Sequence, residues 1–159
     1  MIDRRRFLTA FGGLAVTSTS LLAIAPALAR PAMRVHRDPS CGCCEAWVAH
    51  VRRAGFDARI EVTADIDAVK RRLGVPDALA SCHTAEIDGY LVEGHVPAET
   101  IEKLLAERPA IRGLAVPGMP IGSPGMETPG MAPEPFRVVA FASNGGMAVF
   151  ADFPRGWMR

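Results

Sequence analysis

Met33-Arg34-Val35-His36-Arg37-Asp38-Pro39-Ser40-Cys41-Gly42-Cys43-Cys44-Glu45-Ala46-Trp47-Val48-Ala49-His50-Val51 is the stretch on which the fold reading turns. Its first five residues are short and alternating, as a strand requires, and Asp38-Pro39-Ser40 supplies turn chemistry. From Cys44 onward Trp47, Val48 and Val51 recur at helical spacing up to Ala54-Gly55, where glycine suits a helix C-terminus. The cysteines therefore open a helix at a strand-to-helix junction.

Downstream, Phe56 to Val62 alternates with period two, and Asp65 can cap a helix that carries Ile66, Val69 and Leu73 on one face and ends at Gly74-Val75-Pro76. Thr84 to Glu93 reads as a hairpin turning at Asp88-Gly89. Pro97 begins a third helix through Ile101, Leu104 and Leu105 that stops at Pro109. This βαβαββα order, with a cysteine motif at its first strand-to-helix junction, predicts an α/β, thioredoxin-like sandwich. Residues 113–135 form a Pro- and Gly-rich stretch too long for an ordinary connection, which makes them a candidate functional loop. Phe136 to Phe141 and Met147 to Phe153, joined by Ser143-Asn144-Gly145-Gly146, predict a C-terminal β-hairpin added to that core.

Upstream, Asp3-Arg4-Arg5-Arg6-Phe7-Leu8 forms a positive n-region, Phe11 to Ile24 is mostly apolar, and Ala27-Leu28-Ala29 offers a signal-peptidase site. Residues 1–29 are thus expected to be a signal peptide cleaved after Ala29, leaving 30–159 as a single domain in the periplasm. The arginines followed by Phe-Leu resemble a twin-arginine signal, although Asp3 and Thr9 replace the usual Ser or Thr and Lys; Sec export is the alternative. The apolar stretch, interrupted by Gly12-Gly13 and Pro26, is shorter than the roughly 20 residues that span a bilayer, so no stable membrane span is expected after processing.

Cleavage removes three of the 18 basic and one of the 17 acidic residues and leaves a net charge near −1, which argues against a nucleic-acid partner. About 130 residues bury roughly two-thirds of their unfolded surface, enough for a core without disulfide staples. The four cysteines need not be structural. Cys41, Cys43 and Cys44 fall within four residues, which leaves at most one long-range bridge to Cys82, and clustered soft donors suggest a metal.

In an ideal helix Cys41 and Cys43 would lie about 200° apart, so convergence of their sulfurs demands an irregular backbone before Cys43, which Gly42 permits. The helix N-terminus favours the thiolates that bind metal and attack disulfides. Three readings fit the cluster. Cys44 can belong to the buried stripe of Trp47, Val48 and Val51; Cys41 and Cys44 can form the Cys-x-x-Cys of a thiol–disulfide oxidoreductase; or all three sulfurs can hold metal, which explains the third thiol. Cys82 and His83 fall in the loop before the third strand, where redox members of the fold place a cis-proline. A sulfur and an imidazole there offer two more ligands, or an ordinary buried thiol and a hydrogen-bonded histidine.

Soft donors select Cu(I), and Pro117-Gly118-Met119, Pro124-Gly125-Met126 and Pro129-Gly130-Met131 repeat one triplet three times. Methionine remains a Cu(I) ligand where free thiols are lost, although the same side chains can simply fill gaps in a loop. Zinc comes second, because its structural sites usually use two Cys-x-x-Cys knuckles. His95 can donate a nitrogen or pack as a lone histidine, and the same two readings apply to His36, expected near the cysteine loop. His50 is expected to face solvent, and Met147 and Met158 to be structural or surface residues.

At Cys41-Gly42-Cys43-Cys44, Cys82-His83-Thr84, Gly94-His95-Val96-Pro97 and Pro117-Gly118-Met119-Pro120 with Gly122-Ser123-Pro124-Gly125-Met126-Glu127, the sequence resembles the CopG-type family of exported copper-resistance proteins. The resemblance covers about residues 33–130. It implies a periplasmic protein that binds several copper ions through bridging cysteines, with a role in copper detoxification or redox conversion. On that reading Cys41, Cys43, Cys44 and Cys82 are the primary ligands, and His83, His95, Met119 and Met126 complete or guard the site. A copper oxidoreductase activity and an envelope copper carrier or electron-transfer partner are further expectations. A thiol–disulfide oxidoreductase using Cys41 and Cys44 is the alternative.

Overall fold

The computed structural model describes residues 30–157, so the expected signal peptide and Met158 lie outside it. Among the described residues the elements run β1 (Met33–Arg37), α1 (Gly42–Arg53), β2 (Ala58–Val62), α2 (Ile66–Leu73), β3 (His83–Ile87), β4 (Tyr90–Glu93), α3 (Ala98–Glu107), β5 (Gly113–Ala115), β6 (Phe136–Phe141) and β7 (Met147–Phe153), with a 3₁₀ turn at Asp77–Leu79. The architecture is α/β. Seven strands form one mixed sheet in the order β2-β1-β3-β4-β5-β6-β7. β1 pairs with β2, and β4 with β5, in parallel; the other pairs are antiparallel.

Side-chain alternation along each strand divides the apolar residues between two faces. Met33, Val35, Ala85, Ile87, Val92, Leu114 and Val138 join Trp47, Val48 and Val51 of α1 and Ile101 and Leu104 of α3 in the larger core. Leu91, Ala115 and Phe141 turn the other way and pack with Val75 and Leu79 beside α2. The helices lie where their sequences require. Asp65 caps α2 by accepting from the Ala68 N–H at 2.8 Å, and Gly74 closes it in the left-handed region (φ 80°).

Three expectations need correction. The first concerns α1, which starts at Gly42 rather than Cys44. Cys41 is its N-cap, with extended φ −79° and ψ 94°, so the irregular backbone expected before Cys43 is present and falls at Cys41, while Gly42 is already helical. Secondly, the segment 113–135 is not all loop. Its first three residues form β5, a strand too short for period-two patterning to reveal. A Cβ on Gly113 would lie 2.3 Å from the Leu91 carbonyl oxygen, so the glycine permits a close strand approach rather than marking a flexible turn. Thirdly, His50 is buried, because α3 covers that side of α1; its Nε2 accepts from the Ala98 N–H at 3.0 Å.

On the α2 face, the cross-strand neighbours Thr84 and Glu93 meet Lys70. The Glu93 carboxylate is fully buried, accepts from Lys70 Nζ at 2.5 Å and from the Ser81 N–H at 2.6 Å, and takes the Thr84 hydroxyl at 2.5 Å. Burial pushes this carboxyl up, and Lys70, Thr84 and Ser81 oppose it. Removing one partner of such a pair strands a buried charge, so Glu93→Ala is expected to destabilise the fold by about 3–5 kcal/mol. Urea unfolding measures the loss, and the double change Lys70→Met with Glu93→Leu is expected to recover only the part due to the stranded charge, since the Ser81 N–H and the Thr84 hydroxyl still lose their acceptor.

Candidate metal centre

The strand-to-helix junction is fixed by Arg37, which the alternation of β1 turns toward α1. Its Nη1 donates to the carbonyls of Asp38 (3.0 Å), Pro39 (3.3 Å) and Cys41 (3.3 Å), and its Nη2 pairs with Glu45 in the first turn of the helix. One guanidinium thus satisfies three carbonyls of the turn and sets the direction in which Cys41 enters the helix. The residue escaped the sequence reading, since nothing in an alternating strand marks which arginine points inward.

The four cysteines come together. Cys41 Sγ lies 3.6 Å from Cys43 Sγ, Cys43 Sγ lies 3.8 Å from Cys82 Sγ, and Cys44 Sγ lies 3.8 Å from the Cys82 carbonyl oxygen. All four sulfurs fall within 4.8 Å of one another. Cys41 and Cys44 are joined in a disulfide, while Cys43 and Cys82 are free thiols. The expectation of four thiolates therefore applies to a reduced form, because two of the donors are consumed as the chain stands.

Cys82 reaches the cluster because the loop before β3 is held from behind, at Ser81, by the buried Glu93. Two imidazoles converge on the same sulfur: His83 Nδ1 at 3.2 Å and His95 Nε2 at 3.0 Å. His95 Nδ1 lies 2.8 Å from the Pro124 carbonyl, which can only accept, so this nitrogen carries the proton and Nε2 turns its lone pair to Cys82. His83 is fully buried, with its ring 4.3 Å from that of Trp47, and its Nε2 has no hydrogen-bond partner. Burial holds both histidines below the ordinary imidazole range, and for His83 the neighbouring His95 and Lys70 add to the effect. Burial also pushes the Cys82 thiol up to about 12, with Cys43 adding to the shift, which is opposite to what a helix N-terminus does for its own cysteines.

The Pro-Gly-Met stretch closes over this junction through its backbone. Ser81 Oγ donates to the Gly118 carbonyl at 2.5 Å, next to Met119. Gly125, at φ 85°, presses on α1 so closely that a Cβ there would lie 2.6 Å from the Trp47 nitrogen. Glycine is required at that contact for both reasons. Met126 is half-buried beside it, and Met119 is 52% exposed. Met131 is exposed on an excursion that returns where Glu134 N–H donates to the Ile121 carbonyl, and Met147 is exposed on the edge strand. His36 turns away from the cysteines. It lies on the opposite face of the sheet, with Nε2 2.9 Å from Glu86 and Nδ1 3.3 Å from Glu61.

The donor set fits a soft metal: four sulfurs and two neutral imidazoles, without a carboxylate among the grouped donors. A family described as "Protein of unknown function, DUF411" matches residues 79–126, which hold Cys82, His83, His95, Met119 and Met126 but not the first three cysteines. Two solved structures are similar to this chain. "Copper resistance protein copG- Form 1" is 50% identical, with 79% of this chain and 98% of that chain covered and a TM-score of 0.73. Form 2 is also 50% identical, with 79% and 99% covered and a TM-score of 0.74. No curated protein matches the chain.

Alkylation of the unreduced protein in denaturant is expected to add two groups per chain, at Cys43 and Cys82, and to leave Cys41 and Cys44 linked in one peptide. After reduction, mass spectrometry should find all four cysteines modified. A Cys43–Cys82 link in the unreduced protein would contradict this pairing.

Proposed function

Because the chain belongs to the family of copper resistance protein CopG, we propose that it binds copper in the bacterial periplasm and contributes to copper resistance. The single observation that carries the reading is the convergence of Cys41, Cys43, Cys44 and Cys82 to within 4.8 Å. Four sulfurs so close can bridge, so that once Cys41 and Cys44 are reduced the cluster holds more than one Cu(I). Zinc fits less well, since a bridged thiolate group is a softer environment than the two-knuckle sites that structural zinc usually uses.

Further support comes from the frame. The order β2-β1-β3-β4, with β1 and β2 parallel and cysteines at the β1–α1 junction, suits a thioredoxin-like unit. Among the described residues no helix is long and apolar enough to cross a membrane. An exported chain, cleaved after Ala29, would meet copper in the envelope. His83 and His95 complete the sulfur group on one side, and Met119 and Met126 guard its open side under the Pro-Gly-Met stretch. Sulfur and nitrogen donors together tolerate both Cu(I) and Cu(II), so the bound metal can change oxidation state if an envelope carrier or electron-transfer partner supplies or takes the electron.

The Cys41–Cys44 disulfide favours a second reading, thiol–disulfide exchange with Cys41 as the attacking thiol. The extra Cys43 argues against it, because a third thiol 3.6 Å from Cys41 would resolve mixed disulfides at random.

An air-free Cu(I) titration of the reduced protein against a competing chelator separates the two. More than one copper per chain is expected, and Cys82→Ser should cut the affinity by about 100-fold or more, beyond the 10- to 100-fold typical of a lost outer-sphere partner. Insulin reduction untouched by Cys82→Ser, with no copper uptake, would support the exchange reading. The raised Cys82 thiol also contributes to the pH dependence. It is protonated at neutral pH and must release its proton on binding, so uptake strengthens as pH rises, by about tenfold per unit for each proton released.

A further inference from the structure

We propose that Cys82, His83 and His95 form a one-ion copper site of their own, which remains usable when Cys41 and Cys44 are locked in their disulfide. The identity of the metal rests on the copper-binding reading; the ligand set rests on geometry. The three donor groups lie within 4.8 Å of one another, and this trio shares only Cys82 with the four-sulfur group. Closing the Cys41–Cys44 disulfide therefore disables the larger cluster and removes no donor from the smaller one.

The ring nitrogens are aimed before any metal arrives. The Pro124 carbonyl takes the proton of His95 Nδ1, so Nε2 offers a lone pair to the space beside Cys82 Sγ, the arrangement by which outer hydrogen bonds orient metal-bound histidines. His83 approaches from the adjacent strand end. The two rings are 5.2 Å apart and inclined at 76°, and the Gly94 N–H donates to the His83 carbonyl at 3.0 Å, tying the strand ends together. Trp47 braces the His83 ring from the helix side. In the tautomer that turns His83 Nδ1 to the sulfur as a lone pair, one thiol proton faces two ring nitrogens and can serve only one. A single cation serves both, with the sulfur as thiolate and the thiol proton released to solvent.

The two nitrogen–sulfur spacings are close to what an ion needs. Metal–nitrogen and metal–sulfur bonds of about 2.0–2.3 Å at tetrahedral angles require N···S separations of about 3.5 Å. The observed 3.2 and 3.0 Å ask the donors to open by only a few tenths of an ångström. Two imidazoles and one thiolate, with thioethers in the covering loop, form a set suited to copper in either oxidation state. The consequence is a protein with two loading states: several ions when the dithiol is reduced, and one when it is oxidised.

The test is an air-free Cu(I) titration of the full chain in its disulfide form, without reductant, run beside the reduced protein. Thiol counts before and after verify the disulfide. One copper per chain is expected in the disulfide form, and His83→Ala and His95→Ala should each weaken it by at least about tenfold. X-ray absorption on the copper-loaded, disulfide-form wild type provides a readout independent of whether the variants fold, and it should show mixed nitrogen and sulfur ligation. Copper held by the reduced protein alone would overturn this inference and leave the cluster reading standing; copper held by neither form would overturn both. Sulfur-only ligation in the disulfide form, or undiminished binding in both histidine variants, would also overturn the one-ion site.

Discussion

The site depends on a carboxylate that belongs to the opposite face of the sheet. Glu93, fully buried, holds the Ser81 N–H, the Thr84 hydroxyl and the Lys70 ammonium, and so fixes the chain on both sides of Cys82 and His83. The next residue, Gly94, has no room for a side chain: a Cβ would lie 2.5 Å from Ser81 Oγ and 2.7 Å from the Val116 carbonyl oxygen. His95 follows at once. A buried ion pair is a poor source of net stability, but it is an effective way to specify one arrangement, because every alternative leaves a charge unpaired in a dry interior. Here that arrangement brings Cys82 and both histidines to one point.

The opposing half of the site has a different origin. Arg37 spends one guanidinium on the carbonyls of the Asp38 to Cys41 turn and on Glu45, and Cys41 then enters α1 from an extended N-cap. The stretch around Met119 and Met126 clamps the two halves, tied to Ser81 at Gly118 and seated on α1 at Gly125. The sulfurs are thus brought together from the N-terminus of α1 and the loop before β3, with a third segment laid across them.

Most elements were legible because their signals are local. β1, α2, β6 and β7 follow alternation, helical spacing and caps that a few residues display. β5 was not legible, since three residues with glycine first carry no periodicity, and its assignment comes from pairing with β4 and β6. The cysteine and histidine positions were visible as residue types at suggestive places, but their convergence depends on Glu93, Lys70 and Arg37, which read in the sequence as ordinary charges. His50 and His36 show the reverse. Each was judged from its own element, whereas α3 buries the first and the parity of β1 sends the second to the far face.

Anomalous diffraction at the copper edge, from crystals of the reduced, copper-loaded protein, tests the central claim most directly. The account predicts more than one copper peak between α1 and the loop before β3, bridged by sulfurs of Cys41, Cys43, Cys44 and Cys82. A single peak without a cysteine contact, or copper held elsewhere on the surface, would contradict it.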